Sequence, residues 1–232
     1  VIGCGGMGRD HIRRLTEKIQ GAEVVAVSDV FEESARKAAE ICGAKVYADS
    51  KELINAENVD AVFIVSPGFA HVDSLLQAIE AGKRIFCEKP LCTTAEDCLK
   101  VVKAEEAAGK HLIQLGFMRR YDKGYQQIKE ALATGEYGEP LILHCTHRNP
   151  EVGTNYNTPM AVHDTAIHEI DVLHWLVDDE YESAQVVIPR VTKYSHSELK
   201  DPQIMMLRTK KGVCIDCLLY TSPSPRDGLL SR

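Results

Sequence analysis

The sequence predicts an α/β fold: a doubly wound parallel sheet in the first half, then a C-terminal α+β domain that is incomplete. Three observations lead there. A glycine-rich turn, Gly3-Cys4-Gly5-Gly6-Met7-Gly8, opens directly into a helical stretch, Arg9 to Ile19. Short, nearly continuous apolar runs then alternate with helical patterns as far as Gly116. Strands covered by helices on both faces are apolar throughout, so this alternation means parallel strands joined by crossovers. Beyond Gly116, apolar runs follow one another without an intervening helix, the mark of an antiparallel or mixed sheet.

The elements follow in order. Glu23–Asp29, Asp60–Ser66, Arg84–Cys87 and His111–Gly116 read as buried strands, and Ala44–Tyr47 as a shorter one. Between them, Glu32–Ile41, a stretch containing Ser74–Ile79, and Thr94–Ala108 read as helices. In the second half, Tyr125–Leu132 is a polar helix, Leu141–Cys145 a strand, and Thr165–Val177 a helix. Ala184–Thr192 and Gln203–Thr209 are strands, and Gly212–Asp216 begins another after a hairpin turn at Lys210-Lys211-Gly212. The domains expected are residues 1–118, 119–216 and a tail, 217–232.

Composition narrows the function. The chain has 232 residues, 44% hydrophobic and 26% charged, ordinary for a globular protein with a sizeable core. A net charge of −7 repels a phosphate backbone or an anionic membrane, so neither nucleic acid nor membrane is expected as a partner. No apolar run reaches the length of a membrane span. The eight cysteines are scattered, which reads as mostly reduced thiols in a cytoplasmic protein. Cys214-x-x-Cys217 lacks the second pair that a zinc site needs.

The glycine turn fits G-x-G-x-x-G. Alone that match is weak, but here it follows an apolar stub and opens a helix, the context its mechanism requires. The glycines permit a tight turn and close approach of backbone to a pyrophosphate, and the helix N-terminus offers free N–H groups to the anion. Asp29 ends the next strand 21 residues after Gly8, where a carboxylate can hold ribose hydroxyls. A 2′-phosphate there would meet a carboxylate, and Val30 and Phe31 offer no cation. Gly3, Gly5, Gly6, Met7, Gly8, Asp29 and Val30 are therefore the candidate cofactor set of a Rossmann domain, with NAD favoured over NADP.

Two further features point to chemistry. Glu88-Lys89-Pro90 follows the strand ending at Cys87, at the carboxyl edge where open α/β sheets bind ligands. Asp164 and His168 are four apart in a helical pattern and share a face, a carboxylate beside a general base. Taken singly, each has a plainer reading: a solvated lysine, and a helix cap near a packed histidine. No metal site is expected. His174 lies six positions after His168 where a helical zinc pair needs four, and His144 and His147, three apart, fall on opposite faces of a strand.

Together, the glycine-rich start, Glu88-Lys89-Pro90 and Asp164-x-x-x-His168 resemble the glucose–fructose oxidoreductase/inositol dehydrogenase/rhizopine-catabolism family. Gly116–Asp122, His147-Arg148-Asn149-Pro150 and His168–Leu176 resemble, within it, members that oxidise cyclic polyols. The resemblance covers residues 1–216. It implies that Lys89, Asp164 and His168 are catalytic, that Arg119, His147 and Asn149 face the polyol, and that Ser66, Pro67 and Glu88 lie along the cofactor. It also implies oxidation of a ring secondary alcohol, myo-inositol giving 2-keto-myo-inositol, by a cytoplasmic homo-oligomer, a tetramer. A related sugar or polyol dehydrogenase is the alternative, and a non-catalytic NAD-binding sensor is the alternative of another class. The family often has Thr-Pro-Asn where this chain has Ser66-Pro67-Gly68, which removes the side-chain contact at position 68.

The ends carry their own expectations. Val1-Ile2 leaves no room for a full first strand. Cys217–Asp227 resembles the translation of a sequencing-library transposase adapter, so the native sequence is expected to stop at Asp216. On that reading the final strand is short of a partner, and the chain as written is unstable and inactive.

Overall fold

The computed structural model describes residues 1–221, and the chain divides into two compact units, with the second beginning at Phe117. The first unit contains α1 (Gly6–Glu17), β1 (Ala26–Ser28), α2 (Glu32–Cys42), β2 (Lys45–Tyr47), α3 (Ser50–Asn55), β3 (Ala61–Ile64), α4 (His71–Glu80), β4 (Arg84–Cys87), α5 (Ala95–Ala108) and β5 (Ile113–Leu115). β1 pairs with β2, and β3, β4 and β5 pair in that order, all in parallel. Ile2 joins the two groups, bridging Ser28 on one side and Ile64 on the other. Its N–H donates to Phe63 O at 2.8 Å, and its carbonyl accepts from Val65 N at 2.8 Å. The chain leaves this central position into Gly3, so the glycine turn lies where the strand order reverses, the ligand-binding point of doubly wound sheets.

The strands are short and apolar because both faces are covered. Val27, Val62, Ile64 and Cys87 are fully buried, and Ile12, Leu53, Ile54, Leu75, Ala78 and Val101 from the helices pack the two faces. Helix ends carry their usual signals. Thr94 accepts from Asp97 N at the start of α5, and Gly43 and Gly109 take left-handed conformations after α2 and α5. The sequence reading omitted α3, a six-residue helix capped by Asp49 and too short for a periodic pattern. It also began the first helix at Arg9. The helix starts at Gly6, so Gly6, Met7 and Gly8 form its first turn.

The second unit contains α6 (Lys123–Thr134), β6 (Ile142–Arg148), a π-helical segment (Ala161–Ala166), α7 (Ile167–Val177), β7 (Tyr181–Val187), β8 (Gln203–Thr209) and β9 (Cys214–Tyr220). Its sheet has the order β6-β9-β8-β7, parallel between β6 and β9 and antiparallel elsewhere. Met205, Leu207, Ile215, Cys217 and Leu219 alternate along β8 and β9 onto the buried face, against Val172, Leu173 and Leu176 of α7. Lys129 of α6 donates to the carbonyls of Trp175 and Leu176, satisfying the free end of α7.

Two expectations are corrected here. The helix read from Thr165 is a π-helical segment through Ala166 and an α-helix only from Ile167. The last strand is not short of a partner: β9 lies between β6 and β8, and it runs past Asp216 because Cys217 and Leu219 continue the buried alternation of Ile215. Cys145 and Cys217 are register partners on β6 and β9, and their sulfurs are bonded. The other six cysteines are free, as read for most of them. The remainder of the expected tail, 222–232, lies outside the described residues. Among the described residues, no helix is long and apolar enough to cross a membrane.

Candidate functional site

In the first unit, the glycine turn divides by what each glycine meets. Gly3 has φ +92°, and a Cβ there would stand 2.4 Å from Ser66 N. A Cβ on Gly8 would stand 2.0 Å from the Gly3 carbonyl oxygen. These two are glycines because the protein's own backbone fills the space. Around Gly5 and Gly6 nothing lies within 4 Å of an added Cβ, so the open side of the turn is left to a ligand. No side chain caps the first turn of α1, and it holds no acidic residue. An uncapped 12-residue helix presents N–H groups and a positive dipole end to an anion.

Asp29 stands at the end of β1 beside this turn. Its Oδ2 accepts from Cys4 N at 2.6 Å and its Oδ1 from Phe31 N at 2.8 Å. Each oxygen keeps a further lone pair for a ribose hydroxyl. Val30 is 94% exposed and contributes no polar side chain. The donor set fits a dinucleotide with an unphosphorylated ribose: backbone N–H groups for the pyrophosphate and a fixed carboxylate for the diol.

The loops after β3 and β4 are tied to each other. His71, fully buried at the start of α4, places Nε2 at 2.6 Å from Ser66 O and Nδ1 at 2.9 Å from Pro90 O. One histidine thus fixes both the Ser66-Pro67 loop and the Lys89-Pro90 loop. A Cβ at Gly68 would meet Pro90 Cγ at 3.0 Å, a physical reason for glycine where the resemblance has asparagine. Glu88 pairs with His11 of α1 at 2.8 Å, and its other oxygen accepts from Lys89 N at 3.2 Å. Burial pushes the Glu88 carboxyl up, but the His11 hydrogen bond and charge, with the Lys89 contacts, bring it below its ordinary value. Lys89 is half-buried.

In the second unit, β6, α7 and the turn before α6 bring Arg119, His147 and His168 together. His147, near the end of β6, has its ring 6.5 Å from that of His168 on α7. Between Arg119 and His147 lies Glu169, whose side chain is 3% exposed. Its carboxylate receives Arg119 Nη1 and stands 3.0 and 3.1 Å from His147 Nδ1. The neighbouring pair, Arg120 and Asp171, repeats the clamp, with Nε at 2.9 Å from Oδ2. Asp164 sits half-buried in the π-helical segment, and His168 in the first turn of α7. Irregular helical turns of this kind recur at functional sites. Asn149 follows β6 two positions after His147, its N–H donating to Tyr220 O at 2.8 Å. His144 faces the other side of the sheet and pairs with Asp216, as its spacing from His147 predicts. Among the described residues, no group of three or more His, Cys, Asp or Glu side chains could hold a metal ion.

The sequence reading missed His11, His71 and Glu169 as site residues. Only Glu169 left a signal: with Asp171 it is one of two acidic residues among the apolar positions of α7, and a buried acid needs a partner.

The profile described as an oxidoreductase family with an NAD-binding Rossmann fold matches residues 1–117, and that of the GFO/IDH/MocA C-terminal domain matches 125–224. The chain belongs to the GFO/IDH/MocA family. Its first unit is that family's NAD-binding Rossmann fold. Among curated members, it is 54% identical over 224 residues to the inositol 2-dehydrogenase/D-chiro-inositol 3-dehydrogenase of Shouchella clausii, covering 96% of this chain and 65% of that protein. It is 53% identical to the inositol 2-dehydrogenase of Pseudomonas syringae, covering 96% and 67%. Among solved structures, it superposes at TM-score 0.92 and 48% identity on myo-inositol dehydrogenase from Lactobacillus casei, crystallised with NAD(H) and myo-inositol, over 95% of this chain and 66% of that one. The chain thus spans 65% of the length of the first of these relatives.

Proposed function

We propose that the whole protein is an inositol 2-dehydrogenase, oxidising myo-inositol to 2-keto-myo-inositol with NAD. The observation that carries this reading is the 54% identity to an inositol 2-dehydrogenase/D-chiro-inositol 3-dehydrogenase, which extends across both units rather than the cofactor unit alone.

Oxidation of a secondary alcohol removes a proton from oxygen and a hydride from carbon. In this reading, the imidazole of His168 takes the hydroxyl proton. Asp164 orients that ring and balances its charge once protonated. Lys89 donates to the same substrate oxygen and stabilises the alkoxide as it develops. NAD, when bound, would supply the hydride acceptor. Gly5, Gly6 and Met7, at the open turn, with Asp29, hold the dinucleotide, while Gly3 and Gly8 shape that turn. Ser66, Pro67, Glu88 and Val30 border it. Arg119, His147 and Asn149 bind the remaining hydroxyls, which a neutral, oxygen-rich ring presents as both donors and acceptors. All three proposed catalytic groups are present, which a sensor would not need.

The protein is read as cytoplasmic, supported by its six free thiols. It is also read as a homo-oligomer. Leu141 and Ile142 are 75% and 72% exposed, an apolar presence at the sheet that suits self-association. Initial rates of NAD reduction by the whole protein with myo-inositol, scyllo-inositol and glucose test the assignment. A clear preference for myo-inositol supports it; a preference for glucose moves it to the related sugar dehydrogenase.

A further inference from the structure

Glu169 is a buried acid on α7, its side chain 3% exposed, and burying a carboxylate is costly unless charge and hydrogen bonds compensate. Both kinds of partner are present. Arg119 supplies a guanidinium to Oε1, and His147 Nδ1 lies 3.0 Å from Oε1 and 3.1 Å from Oε2. A carboxylate only accepts, so Nδ1 must carry the proton in this contact. Arg119 Nη2, 3.3 Å from the same Nδ1, is also a donor, so that approach is electrostatic packing around the shared carboxylate and not a competing hydrogen bond. Because Arg119 already balances the carboxylate's charge, Glu169 needs a hydrogen bond from His147 and not a second positive charge.

The consequence falls on the other nitrogen. With the proton fixed on Nδ1, the neutral ring presents a lone pair at Nε2. That ring stands 6.5 Å from the ring of His168, the proposed base.

We infer that Glu169 is a positioning residue, which holds His147 with its proton on Nδ1 so that Nε2 accepts a hydrogen bond from a polyol hydroxyl next to the one oxidised. This inference rests on the function proposed above. Glu169 itself touches neither substrate nor cofactor. It acts by deciding whether His147 accepts or donates, and hence which substrates have a hydroxyl suitably placed to be recognised.

Long-range proton–nitrogen NMR correlations on the whole protein, labelled at histidine nitrogens, test it. The neutral His147 ring should show a protonated Nδ1 and an unprotonated Nε2. In Glu169→Gln the single tautomer should give way to a mixture. A predominant Nε2–H form in the unsubstituted protein overturns the inference, whatever the variant does. The kinetic arm compares myo-inositol with deoxy analogues lacking one ring hydroxyl. One analogue should lose roughly tenfold in kcat/KM, the size of one hydrogen bond. That loss should shrink towards none in Glu169→Gln, while NAD affinity stays unchanged. An equal fall for every analogue with an unaltered tautomer shows a merely structural acid and overturns the inference. Absence of polyol oxidation by the unsubstituted protein is a failure of the functional reading, and it leaves the tautomer result standing by itself.

Discussion

The Asp29 carboxylate accepts the Cys4 N–H at 2.6 Å, fastening the end of β1 to the glycine turn. With the Phe31 N–H on the other oxygen, the two contacts hold the acid still with one lone pair on each oxygen spent, so it is preorganised for a diol and set against a phosphate. Val30, 94% exposed, offers nothing to offset that repulsion.

Cofactor choice should follow from this pair of residues. The protein should bind NAD far more tightly than NADP, and Asp29→Ala with Val30→Arg should reverse the order. Hydrogen bonds to a charged group are worth about 1.5–3 kcal/mol, so NAD affinity should fall by roughly ten- to a hundredfold. Calorimetric titration of both cofactors checks it. Equal affinity of the unsubstituted protein for both contradicts the assignment.

The glycines should separate stability from binding. Gly8→Ala places a Cβ 2.0 Å from the Gly3 carbonyl oxygen and should lower thermal stability, by about 1–3 kcal/mol, along with NAD affinity. Gly5→Ala meets no protein atom within 4 Å, so it should leave the melting temperature nearly unchanged and weaken NAD alone. A large thermal penalty at Gly5 would show that the turn is closed by protein and not left open for the cofactor.

His168→Ala should reduce turnover by roughly 10²–10⁴-fold, the usual contribution of a general base, with NAD affinity intact. Near-full activity in that variant removes His168 from the mechanism. Asp164→Asn should lower turnover in the same direction, since its role is to orient and balance the imidazole.

Acid should find a weak point at Glu169. Burial pushes its carboxyl up, but the hydrogen bonds from His147 and Arg119, with the Arg119 charge, bring it below its ordinary value of 4.5. A carboxylate whose folded pKa is depressed contributes stability that is fully present above the unfolded value. That contribution is lost as pH falls below 4.5 and through the folded pKa. Melting temperatures across this acid range should fall less steeply in Glu169→Gln than in the unsubstituted protein. Parallel curves would show that the pair does not couple to folding.

The legible parts of the fold were those written in periodic patterns. Parallel strands buried on both faces left continuous apolar runs, and β8 was read with its observed bounds, Gln203–Thr209. The short α3 had too few turns to show a period. The π-helical segment before α7 has the same residue types as an α-helix and differs in hydrogen-bond register, which side-chain pattern does not encode. At the site, spacing singled out the glycine turn, Asp29 and the Asp164–His168 pair, while His147 was proposed from the resemblance alone. His71 could not, because it works by bridging the carbonyls of Ser66 and Pro90, 5 and 19 residues away, and no local pattern marks such a contact. The far end of β9 was not legible for a different reason. The reading had Gly212–Asp216 begin a strand and set residues from Cys217 onward aside as a tail, so Cys217–Tyr220 of β9 were left unassigned.

The most direct test of hydride transfer uses myo-inositol carrying deuterium on the carbon to be oxidised. Mixed with NAD and the whole protein, it should deliver the label to the nicotinamide, so that mass spectrometry finds singly deuterated NADH together with the ketone. Reduced cofactor without the label, or no reduced cofactor from any cyclic polyol, would contradict the account.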